Sequence, residues 1–177
     1  MQRWSALGLF LICGACLGDW PEGTKPFAHA VLTPKNGSQV AGTIDFAKGK
    51  NALLVRVYLD HVSRGRHGLH IHTVGDCGTD DASSAGEHFN ITEEAHGDPL
   101  SAARHLGDLG NVRADRHRRV RQELTIPDPT SALFRGWESI LGRAVIIHAK
   151  RDDLTSQPAG NSGVRIGCGI IQTDRLG

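Results

Sequence analysis

The alternation of apolar and polar positions along the chain predicts an all-β domain. Residues 52–59 show it most clearly, because Leu53, Val55, Val57 and Leu59 alternate with their neighbours between two turn-forming segments. By the same criteria, strands are predicted at residues 29–33, 39–46, 52–59, 68–72, 111–114, 120–126, 142–148 and 164–172. The expected fold is one antiparallel Greek-key β-sandwich or flattened barrel, with immunoglobulin-like architecture.

Two long polar segments interrupt this series of strands. Residues 73–107 are rich in Gly, Asp, Ser and His, and residues 151–163 form a second polar stretch before the last strand. Long loops without secondary structure are uncommon in compact domains unless they carry function. We therefore expect the functional side chains to lie in these two loops and at the ends of the strands beside them.

The N-terminus predicts an export signal in residues 1–18, followed by a short leader in residues 19–26 and the domain in residues 27–173. Arg3 supplies a positive charge, and residues 5–17 are uncharged and mostly apolar but shorter than the ~20 residues that span a membrane. The alternative is a buried N-terminal helix. Cys16 follows two small residues, so a lipid anchor at Cys16 is an open alternative to simple cleavage. The expected location is the periplasm or the extracellular space.

Composition narrows the chemistry. The formal net charge of +1 gives no general electrostatic case for a nucleic-acid partner, whereas 10 histidines in 177 residues suggest that some are metal ligands. Of the four cysteines, Cys13 and Cys16 lie in the signal. The even pair that remains, Cys77 and Cys168, predicts a disulfide in an exported protein.

Several histidines have the spacing of metal ligands. His70 and His72 would share one face of a strand while Ile71 points into the core, although such a pair alone could equally be two surface histidines. Further candidates follow along the chain: His88, His96, His105, Asp108 and His148. Imidazole suits copper and zinc, and three imidazoles with one carboxylate form a reasonable tetrahedral zinc site.

Taken in order, these motifs resemble the copper/zinc superoxide dismutase family over residues 27–172. The segments that carry the resemblance are 68–72 (GLHIH), 75–77 (GDC), 84–90 (SAGEHFN), 104–112 (RHLGDLGNV), His148 with 152–154 (DDL), and 160–169 (GNSGVRIGCG). The resemblance implies a Greek-key barrel that dismutates superoxide to oxygen and hydrogen peroxide with copper and zinc.

The resemblance also assigns the ligands. The implied copper ligands are His70, His72, His88 and His148; the implied zinc ligands are His88, His96, His105 and Asp108. His88 would bridge the two metals and take part in catalysis. Asp152 resembles a carboxylate that joins a copper ligand to a zinc ligand through their outer N–H groups, and His67 resembles a structural hydrogen bonder.

Arg165 resembles the arginine that attracts and positions the superoxide anion. Cys77 and Cys168 match the disulfide of the family. The second loop is short, and its segment 154–160 is uncharged, so steering of superoxide would depend on Arg165 with Lys150 and Arg151. Val74, Gly75, Ile140, Leu141, Gly142 and Ile170 resemble positions that pair subunits in a homodimer.

Two other functions are compatible with parts of the sequence. A non-enzymatic copper-delivery or storage domain would typically lack part of the copper set, and a purely structural zinc domain would leave His70, His72 and Arg165 without a purpose. The basic run 113–121 is a separate feature. It predicts a solvated hairpin or, alternatively, a weak contact with an anionic membrane or polysaccharide through Arg116, Arg118, Arg119 and Arg121.

Overall fold

The computed structural model describes residues 18–22, 24, 26–128 and 139–173. The predicted signal and the lipid-anchor candidate Cys16 lie outside this part of the chain. Its strands are β1 (Pro26–Pro34), β2 (Ala41–Gly49), β3 (Ala52–Asp60), β4 (Gly65–His72), β5 (Asp108–Ala114), β6 (Val120–Pro127), β7 (Ala144–His148), β8 (Arg165–Ile170) and β9 (Gln172–Thr173). Among the described residues, no helix is both long and apolar enough to cross a bilayer.

The strands form one antiparallel sheet that is nearly closed into a barrel. Its order is β5-β4-β7-β8-β1-β2-β3-β6, and β9 pairs with β1. β4 therefore pairs with β7 and β8 with β1, which is the crossing order of a Greek key rather than a simple meander. The predicted all-β flattened barrel is confirmed.

The interior of the barrel is filled by the alternating apolar residues. Leu53, Val55, Val57 and Leu59 are fully buried in the core, as the alternation predicts. The opposite face of β3 is also covered, because the Arg56 guanidinium lies 3.9 Å from the Trp20 ring centroid and donates to the Asp19 carbonyl at 2.8 Å. The leader thus shields part of this face from solvent.

Several predicted strand boundaries were wrong. The strand expected at 68–72 begins at Gly65, and the one expected at 142–148 begins at Ala144. The last predicted strand, 164–172, is divided into β8, which pairs with β1 and β7, and β9, which pairs with β1. Pairing with neighbouring strands sets these boundaries, and local residue patterns do not reveal it.

The long loop is held in place at several points. Residues 73–107 contain a single regular element, the 3-10 turn Ser83–Ala85. The predicted disulfide is confirmed, since Cys77 and Cys168 are bonded with their Cα atoms 5.8 Å apart, and it ties this loop to β8. In addition, Lys35 Nζ donates to the carbonyls of Cys77 and Thr79 at 2.5 and 3.0 Å.

Candidate metal centre

Four histidines converge at the end of the β4–β7 strand pair. His70 and His72 lie on β4, and His148 is the last residue of β7. His88 joins them from the long loop because its backbone forms an isolated bridge with His72. One ligand atom from each of these four buried rings lies within 4.8 Å of the others.

A second group of ligands shares His88 with the first. Asp108 opens β5 directly opposite His70, which brings the carboxylate next to the histidines of the long loop. His88, His96, His105 and Asp108 again place one atom each within 4.8 Å of one another. The structure therefore gathers all seven predicted ligands into two groups with His88 in common.

In the first group, the outer ring nitrogens are already bonded and the inner ones are not. His72 Nδ1 donates to the Gly86 carbonyl at 2.8 Å, and His148 Nδ1 donates to the Gly163 carbonyl at 3.0 Å. In each ring of this group, the inner nitrogen is buried and has no hydrogen-bond partner: His70 Nδ1, His72 Nε2, His88 Nε2 and His148 Nε2. Buried polar atoms rarely lack partners, so four in one place indicate a site for a cation.

The Asp108 carboxylate divides its two oxygens between the backbone and the ligand group. Oδ2 accepts hydrogen bonds from the amides of Gly97 and His105 at 3.0 and 3.1 Å. Oδ1 lies 2.9 to 3.4 Å from the Nδ1 atoms of His88, His96 and His105. Three imidazole nitrogens and one carboxylate oxygen thus face a common point, which is the donor set that zinc prefers.

Asp152 connects the two groups through their outer nitrogens. Its Oδ2 accepts from His70 Nε2 at 2.7 Å, and its Oδ1 accepts from His96 Nε2 at 2.9 Å. These three residues are themselves close enough to suggest a third cation site. Because the facing atoms satisfy one another at hydrogen-bond distances, we interpret the contact as positioning of two rings rather than as metal ligation.

Burial keeps most of the first group neutral. It lowers the pKa of His70 to about 4, and it lowers the pKa of His72 and His148 well below the usual value of 6.5. His96 differs: burial opposes its charged form, but hydrogen bonds to Asp108 and Asp152 raise its pKa to about 9. A neutral imidazole is the form that binds metals, so the first group is ready to ligate at neutral pH.

Arg165 lies beside the first group. It is opposite His148 in the β7–β8 ladder, and its guanidinium donates to the carbonyls of Ala82 and Gly86 at 2.5 and 2.7 Å. The Gly86 carbonyl also accepts the hydrogen bond from His72, so one backbone group orients both side chains. The positive charge of Arg165 contributes to the lowered pKa of His72 and His148.

His67 supports this site from outside. Its Nδ1 donates to the His148 carbonyl at 2.9 Å, and its Nε2 lies 2.7 Å from the Ser63 carbonyl. Neither ring nitrogen belongs to a ligand group. The ring thus links the end of β7 to the residues just before β4.

Several supporting residues escaped the sequence prediction. The Asn111 side chain brackets the Asp152 backbone, donating to its carbonyl at 2.9 Å and accepting from its amide at 2.8 Å. The Gln157 side chain likewise bonds both the amide and the carbonyl of His96. Asn111 lies on β5 and Gln157 in the second polar loop, and each reaches a residue that is distant in sequence, so the local pattern carries no signal of the contact.

Comparison with known proteins agrees with this geometry. The family model of copper/zinc superoxide dismutase (SODC) matches residues 40–171. A putative Cu-Zn superoxide dismutase of Orgyia pseudotsugata multicapsid polyhedrosis virus is 43% identical over 141 residues, covering 75% of this chain and 91% of its own. The Cu-Zn enzyme of Schizosaccharomyces pombe is 39% identical over 152 residues, covering 81% and 96% respectively.

An extracellular Cu-Zn superoxide dismutase of Brugia pahangi is 39% identical over 153 residues, which cover 81% of this chain and 74% of that protein. The family model thus covers most of the chain, and the ligand groups suit the two metals that the relatives' names specify. The chain belongs to the copper/zinc superoxide dismutase family and dismutates superoxide with copper and zinc as cofactors.

Proposed function

We propose that the two ligand groups divide the metals as the family resemblance implies. Copper would be held by His70, His72, His88 and His148, and zinc by His88, His96, His105 and Asp108. The observation that carries this assignment is the orientation of His88, whose Nδ1 faces Asp108 at 2.9 Å while its buried Nε2 has no hydrogen-bond partner. One ring is therefore available to both groups.

When bound, copper would supply one-electron chemistry, oxidising one superoxide to oxygen and reducing a second to hydrogen peroxide, while zinc has no redox role. The protein residues organise this chemistry. Asp152 fixes the rings of His70 and His96, and the Gly86 and Gly163 carbonyls fix those of His72 and His148. His88 Nε2 would hold a proton for the substrate only while it is not bound to copper, and Nδ1 would stay within the zinc group.

Arg165 would attract and position the superoxide anion. It is half-buried, held by two loop carbonyls, and placed next to His72 and His148. A fixed guanidinium beside the copper group provides an oriented positive charge at the point where an anion must arrive.

The assignment of the metals can be tested on purified protein with metal analysis. We expect activity to require copper, and His148→Ala to lose copper and activity while retaining zinc. Loss of both metals in equal amounts from His148→Ala would contradict the division into two groups. Asp108→Ala should have the opposite effect on the metal content, losing zinc before copper.

The role of Arg165 has a separate test. Arg165→Ala should reduce kcat/KM at low salt by roughly tenfold or more while leaving the copper content unchanged, because the charge acts on the anion rather than on the metal. Arg151→Ala, which removes an exposed charge nearby, is the matched control and should have a smaller effect. Parallel loss of copper in Arg165→Ala would show that Arg165 is structural.

We also propose that the protein acts outside the cytoplasm, against superoxide in the periplasm or the extracellular space. The apolar N-terminal run, the Cys77–Cys168 disulfide and the extracellular relative support this location. Cell fractionation and the intact mass of the exported protein test it, and would also show whether Cys16 carries a lipid. Full-length protein confined to the cytoplasm would contradict export.

A homodimer through the surface around Val74 and Leu141 is a further proposal. Both side chains are exposed, at 46% and 38%, and Gly75 lies against the Gly142 carbonyl, so the two segments form one surface. Apolar side chains exposed on adjoining segments favour contact with a partner. Light scattering of the wild type and of Val74→Glu should give a dimer and a monomer; a monomeric wild type would overturn the proposal.

A further inference from the structure

A second charged surface lies away from the metal centre. We call it the arginine face and define it by residues 60–66 and 113–121. These segments contain two aspartates, no lysine and no glutamate, and seven arginines: Arg64, Arg66, Arg113, Arg116, Arg118, Arg119 and Arg121. Their formal charge is +5, whereas that of the whole chain is +1, so the remaining residues sum to −4. Positive charge is thus concentrated in one region.

Folding joins these segments and leaves most of the charge uncompensated. The Val62 amide donates to the Arg118 carbonyl at 3.0 Å, which holds the two loops together. Arg121 pairs with Asp60 at 2.9 Å and Arg119 with Asp115 at 3.7 Å. In the described part of the chain, the other five arginines form no ion pair, and all five are exposed.

Two of these arginines face each other directly. Arg66 on β4 and Arg113 on β5 are partners in the strand register. Like charges at directly opposed positions destabilise a sheet. This local cost is offset if an anion binds between the two guanidinium groups, so the pair suggests an anion-binding site.

The arginine face lies at the ends of β4 and β5 that are farther from the metal centre. It includes Ala114, the last residue of β5, whereas Asp108 of the zinc group is the first residue of the same strand. Along β4, Arg66 lies four positions from the copper-group residue His70, which is roughly 13 Å at the usual rise per residue.

We propose that the arginine face binds a sulfated polysaccharide. Guanidinium groups pair with tetrahedral oxyanions through two parallel hydrogen bonds. All the permanently positive side chains in these segments are arginines, because the segments contain no lysine. A membrane is the weaker fit, because the exposed large apolar residues of the described chain all lie outside both segments. The segments also contain no Phe, Tyr or Trp on which nucleic-acid bases could stack.

The structure thus changes which residues carry the interaction expected from the sequence. Arg119 and Arg121 were among the four candidates, but both are paired with aspartates. Arg116 and Arg118 remain candidates, and Arg64, Arg66 and Arg113 join them. Arg64 and Arg66 are distant in sequence from the basic run, and only folding brings them close to it.

Heparin serves as the probe in the test, with elution by an NaCl gradient. We expect the wild type to be retained and Arg66→Gln/Arg113→Gln to bind about tenfold more weakly, with a shallower dependence on salt. Lys48→Gln/Lys50→Gln removes the same charge at another exposed place and should bind like the wild type. Thermal unfolding should show that the arginine variant is at least as stable as the wild type, because a repulsive pair has been removed.

Equal weakening by the arginine and lysine variants would overturn the proposal, since net charge alone would then explain retention. Tighter binding to phosphatidylserine vesicles or to duplex DNA than to heparin, at the same salt concentration, would also overturn it. Neither readout depends on dismutase activity, so the result is independent of the function proposed above.

Discussion

At the scale of single residues, the site depends on side chains that hold the ligands rather than bind metal. The buried Asp152 carboxylate orients His70 and His96, and its own backbone is held by Asn111. Gly160 closes the other side of this carboxylate. Such supporting contacts commonly change metal affinity by 10- to 100-fold when they are removed.

Gly160→Ala should weaken zinc binding by about 10- to 100-fold. A Cβ at this position would lie 1.8 Å from Asp152 Oδ1 and 2.6 Å from His96 Nε2, so the contact between Asp152 and His96 must break. Competition with a chelator measures the zinc affinity. Gly142→Ala is the matched control, because its φ of +74 resembles the +62 of Gly160 but its Cβ would meet nothing within 4 Å. Equal zinc affinity in the two variants would contradict this reasoning.

At the scale of elements, the long loop is the functional unit and the barrel is its support. The loop supplies His88, His96 and His105, and its backbone also fixes the guanidinium of Arg165. The disulfide anchors the first half of the loop to β8, and Lys35 anchors it to the turn that follows β1. These attachments add to the loop's own backbone hydrogen bonds, such as those from Thr73 to Glu87 and from Val74 to Ala85.

Replacing both cysteines, Cys77→Ser/Cys168→Ser, should lower the free energy of unfolding by about 4 to 5 kcal/mol. The sequence separation of 91 residues makes the cross-link effective in restricting the unfolded chain. Urea denaturation of the metal-free protein measures the change, and a reductant should destabilise the wild type but not the double variant. A loss below about 1 kcal/mol would mean that the unfolded chain is already compact without the cross-link.

At the scale of the whole molecule, the metal centre concentrates ionisable groups inside a barrel that must otherwise exclude them. Seven ligands are buried, and the two carboxylates have pKa values held below their usual range by the histidines that face them, although burial opposes this. Without metals, the folded state keeps several buried imidazoles neutral at pH values below 6.5, at which the same imidazoles would be protonated in the unfolded chain. The stability of the metal-free protein is therefore linked to pH.

The metal-free protein should be most stable near pH 6.5. As pH falls from 6.5 to about 4, the unfolded chain takes up a proton that buried His70 resists, which costs on the order of 3 kcal/mol; His72 and His148 act in the same direction. His96 acts oppositely, since its raised pKa contributes stability below 6.5 that is lost as pH rises to about 9. Urea denaturation across pH 4 to 9 measures the profile.

Loss of the His70 imidazole provides the control for this profile. His70→Gln should flatten the acidic side because the residue no longer titrates, while the alkaline side is retained. An acidic decline of unchanged size in His70→Gln would contradict the contribution assigned to this histidine.

The sequence by itself determined the fold class and the disulfide, and its resemblance to the copper/zinc superoxide dismutase family implied the seven candidate ligands. Alternation in segments such as 52–59 reflects a local preference of the backbone, and the motif around His88 specifies side chains by type and order. Alternation is a local property, and the resemblance depends only on the type and order of residues along the chain, so both could be read without coordinates.

Tertiary structure alone decided how these residues act together. It showed that His88 faces both groups, that Asn111 and Gln157 hold Asp152 and His96, and that Arg66 opposes Arg113 while Arg119 and Arg121 are paired with aspartates. Each of these contacts joins residues from different strands or loops. Their formation depends on strand register and chain crossings, which the local pattern of residues does not encode.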